Sequence, residues 1–343
     1  MHTQNNNAYF PVLDVLKTIA AYFLLWTHVS QKWFGAWADE RFFVLPLPDS
    51  CVYIFFVISG FLAGRKAETI HLHSWIQRRL KRLLPAYYAY ILLCSIFFVL
   101  TGRTAEILQA QIGYYLVPMP QVPFCQGNAI LPFVHLWFIG SMLIFTLVFP
   151  CIAKLNAPKR FCVSVIICVG WMLLKWGCYF LVGKDTFLYK FVGVTGFDCL
   201  FLGVLCGLET KKLHENKYAW AYLLWVLFLT FGLYDTHIPA PARPEVLAIL
   251  CALIILFGQA DMPGLRFRCA LWHKFSSISY EFYIVQIGVL LLLSHAWKHL
   301  PHQPADIVIY AICTFFTTFG AWLLHKIYKK TGVFIANFAN TQG

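Results

Sequence analysis

Long apolar runs recur along the chain, separated by short polar stretches. A membrane-spanning helix needs about 20 predominantly apolar residues, and ten segments approach that length. They are residues 11–30, 51–64, 83–101, 132–153, 161–182, 189–208, 218–234, 244–260, 278–295 and 307–326. The pattern predicts an all-α integral membrane protein, with about ten transmembrane helices in one bundle and no soluble domain. The second segment is short enough to be re-entrant or broken instead of a full span.

Composition supports this class. Of the 343 residues, 60% are hydrophobic and only 12% are charged, against about 25% charged in a typical soluble protein. So few charges cannot solvate the surface of a soluble enzyme of this size, and 18% aromatic residues exclude a disordered chain. We therefore treat residues 1–343 as a single polytopic membrane domain.

The formal net charge of +12 follows from topology. Placing the N-terminus inside puts 18 of the 27 Lys and Arg residues on the cytoplasmic side, as the positive-inside rule favours. This bias fixes the orientation from Arg65 onward and leaves open whether the short second segment crosses, since the opposite choice only moves Lys32 and Arg41 inside. Both termini are then expected in the cytoplasm. No basic–aromatic motif points to nucleic acid. The 12 Cys form no C-x-x-C pair and no zinc-type spacing, so neither a metal site nor a disulfide framework is expected.

Ionisable residues inside a span are costly and point to function, and the first segment contains three. Lys17 and His28 are eleven residues apart, which on a helix is three turns plus roughly 20°, so both lie on one face about 16 Å apart. They cannot act on the same atom, and a substrate using both must be long. Simpler roles stay open for both residues: Lys17 could reach the inner interface or pair with Asp14, and His28 could be an interfacial histidine.

A basic run follows the second segment. Arg79 and Arg82 are three residues apart and Arg78 and Arg82 four apart, so a helix brings their guanidinium groups to one side. Guanidinium pairs at this spacing suit phosphate binding. A juxtamembrane basic run is also an ordinary contact for anionic lipid.

A glycine pattern in the second segment allows two interpretations, and three charged residues inside other apolar segments are expected to need partners. Gly60 and Gly64 form a G-x-x-x-G pattern, which suits either a helix-packing face or an unwound point beside a cavity. Asp198 and Glu281 are carboxylates inside apolar segments and are expected to pair with basic residues in the bundle, and Lys175 is expected to pair likewise.

Taken together, these features resemble the membrane acyltransferase family 3. The family opens with a basic residue followed eleven positions later by His, as Lys17 and His28 are here. Four more of its segments follow in order: FFVISGF at 55–61, RLKR at 79–82, HLWF at 135–138 and SYEFY at 279–283. Two positions depart from the family: Lys17 stands where Arg is common, and Gln286 stands where many members have His.

The resemblance implies transfer of an acyl group, most often acetyl, from acyl-CoA to a hydroxyl on a cell-envelope carbohydrate. Acyl-CoA would be a donor substrate, with no permanently bound cofactor. Arg79 and Arg82, with Arg78 beside them, would hold its phosphates, and Lys17 would lie along its path. His28 would be the general base or a transient acyl carrier, and Asp14 would orient Lys17.

The implied partners are acyl-CoA, a carbohydrate or lipid-linked glycan acceptor and the lipid bilayer, with no nucleic acid. The implied location is the bacterial cytoplasmic (inner) membrane. Two alternatives remain at this point: a transporter or flippase of an envelope precursor, and an acyltransferase acting on a small molecule.

Overall fold

The computed structural model describes residues 10–33, 41–42, 45–46, 49–109, 111–209, 218–233, 237–257, 270–297 and 305–340, leaving aside the side chains of 41–49, 218–220, 233 and 328–340. The basic residues Lys211, Lys212, Lys217, Arg266, Arg268 and Lys298, which contribute to the charge count of the loops, lie outside the described residues.

Helices account for nearly all of the described secondary structure. In chain order they are α1 (Pro11–Trp33), α2 (Val52–Arg65), α3 (Leu72–Leu100), α4 (Thr104–Gln109), α5 (Gly113–Leu116), α6 (Gln121–Cys125), α7 (Trp137–Ala153), α8 (Ala157–Leu181), α9 (Phe187–Thr195), α10 (Phe197–Glu209), α11 (Tyr218–Leu229), α12 (Arg243–Phe257), α13 (Ala270–Ser277), α14 (Ser279–Trp297) and α15 (Asp306–Asn340). Two short strands, β1 (Arg41–Phe42) and β2 (Leu45–Pro46), pair antiparallel between α1 and α2.

Seven helical segments in the described part of the chain are long and apolar enough to cross a membrane. They are α1, α3, α7 with its preceding turn, α8, the α9–α10 pair, α14 and the first part of α15. The other three predicted spans are helical but cover only 14, 12 and 15 described residues in α2, α11 and α12. At 1.5 Å per residue these are about 18 to 23 Å long, less than the roughly 30 Å hydrocarbon core. The all-α membrane fold is confirmed, whereas the count of ten spans is not.

The distribution of burial fits a bilayer. α1 and α10 lie inside the bundle, whereas α8 presents an apolar outer face on which Leu173 is 62% exposed, Phe180 72% and Leu181 86%. A contiguous exposed apolar surface of this kind is rare on a soluble protein, and lipid covers it without cost.

Side-chain contacts fix the direction of the helices around α1. Three hydrogen bonds run antiparallel between α1 and α15, joining Tyr22 to Thr318, Trp26 to Thr314 and Ser30 to Tyr310. α14 runs parallel to α1, because its two ends contact the matching parts of α1 through the ring pairs Tyr22–Phe282 and Trp33–Trp297. α3 is parallel to both, since Leu83 and Tyr90 face Tyr280 and Gly288 of α14 in the same order. The C-terminal ends of α1, α3 and α14 therefore lie on one side of the bundle.

The G-x-x-x-G of α2 is a packing face. α2 is continuously helical, and a Cβ added at Gly60 or Gly64 would overlap the backbone of Leu200 or Val204 on α10. A second G-x-x-x-G on α10, at residues 203–207, faces α2 in the same way. Four glycines thus let the two backbones approach closely.

The carboxylates inside the bundle are paired, as expected. Lys175 on α8 lies 2.5 Å from Asp198 Oδ2 on α10 and 2.9 Å from Glu245 Oε1 on α12, and all three side chains are at most 11% exposed. Glu281 on α14 lies 2.8 Å from His325 Nδ1 on α15. Because a buried charge is stable only with a partner, the first cluster ties α8, α10 and α12 together.

Candidate active site

The basic residues predicted to hold a donor meet at one small cavity. Lys17 from α1 and Arg79 and Arg82 from α3 line a cavity of about 80 Å³. Ser59 of α2 and Ser279, Tyr280 and Tyr283 of α14 complete its polar lining. Three cations from two parallel helices therefore converge near the N-terminal ends of α1 and α14.

The two arginines differ in setting. Arg79 is half-buried and its guanidinium lies 4.4 Å from the ring centre of Trp75, a cation–π contact that holds it in place. Arg82 is exposed at the rim. Arg78 turns back along its own helix, where its Nε donates to the carbonyl of Ser74 at 3.0 Å, and it does not line this cavity.

Asp14 is held mainly by α13. Its Oδ1 accepts a hydrogen bond of 2.6 Å from the Ser276 hydroxyl, and its Oδ2 lies 3.0 Å from His273 Nδ1. Lys17 Nζ is farther away, 4.0 Å from Oδ1. The carboxylate therefore anchors α13 to the first turn of α1 and adds a longer-range attraction to Lys17.

His28 lies at the other end of α1, in a second cavity of about 410 Å³. Its Nδ1 is 3.0 Å from Oε1 of Gln31, one turn farther along the helix. An amide oxygen only accepts hydrogen bonds, so Nδ1 carries the proton and Nε2 keeps a free lone pair. That is the tautomer in which a neutral histidine can act as a general base.

A second histidine lines the same cavity. His135 is only 4% exposed, and its Nε2 donates to the carbonyl of Ile284 on α14 at 2.9 Å. Its Nδ1 is buried and makes no hydrogen bond to the described residues. A buried acceptor without a partner is costly.

Tyr283 lines both cavities. Its hydroxyl donates to the carbonyl oxygen of His135, which places the ring between the Lys17 end and the His28 end. Trp137 lines the His28 cavity and Phe138 the Lys17 cavity, so the start of α7 contributes to the same partition. Lys17 and His28 thus face two neighbouring cavities, and the Tyr283 ring forms the wall between them.

The family comparison decides the class of protein. A family model described as an acyltransferase domain, of the acyltransferase 3 type, matches residues 10–326, nearly the whole chain. The chain belongs to this acyltransferase family. Comparison with curated proteins and with solved structures finds no match. The protein is a membrane-embedded acyltransferase of the O-acyl type, and the transporter interpretation gives way to it.

The acyltransferase brings some predicted residues together and separates others. Lys17, Arg79 and Arg82 share one cavity, His28 lies in the other, and Arg78 lines neither. Sequence reasoning overlooked Gln31, although its spacing from His28 is helical. It also gave no role to His273 and Ser276, because nothing local connects them to Asp14.

The buried charge pairs elsewhere in the bundle lie outside both cavities of the acyltransferase. Neither the Lys175 cluster nor the Glu281–His325 pair lines them. Among the described residues, no group of three or more His, Cys, Asp and Glu side chains is arranged to hold a metal ion.

Proposed function

We propose that this acyltransferase moves an acyl group, acetyl in the first instance, from acyl-CoA to a hydroxyl of a cell-envelope carbohydrate. One observation carries the proposal: a cationic cavity and a histidine cavity lie at opposite ends of α1 and meet at Tyr283. Acyl-CoA has the matching form, with an anionic nucleotide at one end and a thioester at the end of a long arm.

The two cavity sizes support this placement. The cationic cavity, at about 80 Å³, admits a narrow chain but not an adenosine group. The nucleotide therefore stays outside, where the exposed Arg82 and the Arg79 guanidinium bind its phosphates. The arm passes Lys17 and Tyr283. The His28 cavity, at about 410 Å³, is in the usual size range of small-molecule sites and has room for the thioester and one sugar unit.

The chemistry follows from the His28 tautomer. Nε2 takes the proton of the acceptor hydroxyl while the hydroxyl oxygen attacks the thioester carbonyl carbon. The carbon–sulfur bond then breaks, and the imidazolium returns its proton to the departing sulfur, giving the ester and free CoA. Gln31 holds Nδ1–H throughout. His135 forms part of the wall of the same cavity.

Variants at the two ends of α1 test the proposal. His28→Ala should lower transfer by at least 10²-fold, as loss of a general base does, with normal acyl-CoA binding. Arg79→Ala/Arg82→Ala should raise the apparent KM for acyl-CoA by about ten- to a hundredfold, the effect of losing charge-assisted hydrogen bonds, with a smaller change in kcat. Arg78→Ala is the matched control and should resemble wild type.

Mass spectrometry of surface glycans identifies the acceptor class. Glycans from cells with the wild-type protein should carry one acyl group more than those from cells with His28→Ala. A glycan profile that is the same in both strains contradicts the carbohydrate acceptor and favours a small molecule. Full activity of His28→Ala at normal expression contradicts the mechanism.

A further inference from the structure

A third cavity, separate from the cationic cavity and the His28 cavity, runs between α3 on one side and α14 and α15 on the other. Its volume is about 630 Å³ and its walls are almost entirely apolar. Along α14 the lining extends from Val285 to His295, ten residues or about 15 Å. Leu93, Leu292 and Ile327 are among its lining residues and are 58%, 55% and 50% exposed, so this groove opens sideways into the region occupied by lipid.

One end of the groove is basic. Lys32, Arg103 and His295 line it, and they lie at or just beyond the C-terminal ends of α1, α3 and α14, which share one side of the bundle. Arg103 donates two hydrogen bonds of 2.6 Å to the exposed carboxylate of Glu106, and this contact raises the pKa of its guanidinium. The charge at this end is net positive, which suits an anionic head group.

The groove lies directly beside the His28 cavity. Lys32, Leu131 and Leu291 line both. A molecule whose chain lies in the groove can therefore extend its polar end into the cavity that contains His28 and His135. The groove is on the far side of the Tyr283 wall from the donor cations, so a donor and this molecule can be bound together.

We infer that the groove holds the hydrocarbon chain of an acceptor carried on a lipid phosphate, with the phosphate beside Lys32, Arg103 and His295 and the sugar in the His28 cavity. This inference rests on the proposed function, because it names the form in which the acceptor arrives. A free glycan makes no use of an apolar groove that opens to lipid, nor of a basic end next to the cavity.

Selectivity comes from the head and from packing. A lipid chain leaving the bilayer gains no hydrophobic free energy, because it exchanges one apolar environment for another. The groove therefore discriminates by the fit of the chain and by attraction of the phosphate, and it orients the sugar toward His28. Bulk phospholipid is the competing occupant, and the test has to separate the two.

The test uses the full chain in lipid nanodiscs, with C55 polyprenyl phosphate and phosphatidylglycerol as probes and native mass spectrometry as the readout. Leu93→Trp and Leu323→Trp place a large ring in the groove from opposite walls. The matched control is Leu92→Trp, because Leu92 is on the same helix, is 60% exposed and does not line the groove. Thermal unfolding midpoints show whether each variant folds.

We expect wild type and Leu92→Trp to retain polyprenyl phosphate, and each groove variant to lose it at least tenfold. Lys32→Gln should also weaken retention, because it removes one cation from the head site. Phosphatidylglycerol should be retained more weakly and should not respond to the groove variants. Equal retention of both lipids, or equal retention by Leu93→Trp, Leu323→Trp and wild type, overturns the inference.

Separate readouts distinguish this inference from the proposed function. Groove variants should bind acyl-CoA normally yet leave surface glycans unacylated. Normal glycan acylation by folded Leu93→Trp and Leu323→Trp contradicts the groove inference and remains consistent with the proposed function. If wild type retains polyprenyl phosphate but does not bind acyl-CoA, the proposed function is contradicted, whereas lipid binding in the groove is supported.

Discussion

Lys17 and His28 share one face of α1, but their surroundings come from different parts of the chain. Around Lys17 the neighbours are charged, with Arg79 and Arg82 across the cavity and Asp14 at 4.0 Å. Around His28 they are chiefly the uncharged groups of Gln31 and His135, with Lys32 as the one cation among the residues described as lining that cavity. These surroundings suit the roles in the proposed function, in which Lys17 binds an anion and His28 handles a proton.

Removing the Gln31 amide tests how the proton on His28 is positioned. In Gln31→Met the side chain keeps its length but loses the acceptor for Nδ1–H, so the imidazole can turn or change tautomer. A net hydrogen bond is worth about 1 kcal/mol, and we expect kcat to fall roughly five- to tenfold. The apparent KM for acyl-CoA should stay unchanged, because Lys17 lies about 21 Å from Gln31 along the helix and Arg79 and Arg82 line the same distant cavity as Lys17.

A double variant separates positioning from a general structural role. If Gln31 acts only through the imidazole, Gln31→Met should cause no further loss in a His28→Ala background. Independent, multiplied losses in the double variant would show that Gln31 does something other than orient His28. The measurement is steady-state acyl transfer for all four members of the cycle.

Separation along the chain decides which site residues the sequence reveals. Lys17 and His28, or Arg79 and Arg82, lie on one helix, so their spacing alone predicts a shared face. Asp14 meets Ser276 across 262 positions and His135 meets Ile284 across 149. No periodicity links such pairs, because they depend on how helices pack. For the same reason the sequence predicts that Asp14 serves Lys17, whereas its shortest contacts are to α13.

At the scale of elements, the α2–α10 contact sets how closely the core helices approach. Gly60 and Gly64 on α2 face α10, and Gly203 and Gly207 on α10 face α2. α2 also supplies Ser59 to the cationic cavity. Close backbone packing therefore helps to place one wall of the cationic cavity.

Adding one methyl group at this contact should destabilise the protein. In Gly203→Ala the new Cβ would overlap the carbonyl oxygen of Val57, and the surrounding backbone cannot move aside cheaply. Overpacking of this kind costs about 1 to 3 kcal/mol, so the thermal unfolding midpoint in detergent should fall. Gly170→Ala on α8 is the matched control, because no atom lies within 4 Å of a Cβ at that position and Ala favours a helix.

Gly203→Ala should therefore lower the thermal unfolding midpoint, whereas Gly170→Ala should raise it or leave it unchanged. If Gly203→Ala unfolds at the same temperature as wild type, the α2–α10 contact is looser than the structure shows. Lower expression of Gly170→Ala would instead indicate that substitution of any helical glycine is harmful.

Hydropathy predicts helices better than it predicts what they do. All ten apolar segments are helical in the described residues, because apolar runs and helical backbone both follow from local sequence. The number of spans does not follow from hydropathy. α2, α11 and α12 are short, and a helix buried inside the bundle has as apolar a sequence as a helix that faces lipid. The glycines of α2 indicate a packing face, but only the structure identifies α10 as its partner.

At the scale of the whole molecule, the direction of the bundle relates the two reactants to the two sides of the membrane. α1, α3 and α14 are parallel, so the cations lie toward one side and His28 and the basic end of the groove toward the other. The excess of Lys and Arg in the loops favours a cytoplasmic location for the Arg79 end, where acyl-CoA would be supplied. In this orientation the proposed function would carry the acyl group across much of the bilayer inside the protein.

Sealed vesicles of known orientation test this arrangement. Acetyl-CoA is charged and does not cross a bilayer, so label added outside should be transferred to membrane-bound acceptor only in inside-out vesicles. Right-side-out vesicles should become active once mild detergent opens them. Inside-out vesicles carrying Arg79→Ala/Arg82→Ala should need a higher acetyl-CoA concentration, whereas those carrying Arg78→Ala should match wild type. Transfer by intact right-side-out vesicles would place the donor site on the opposite face, and the loop charges and the cationic cavity would then be unrelated features.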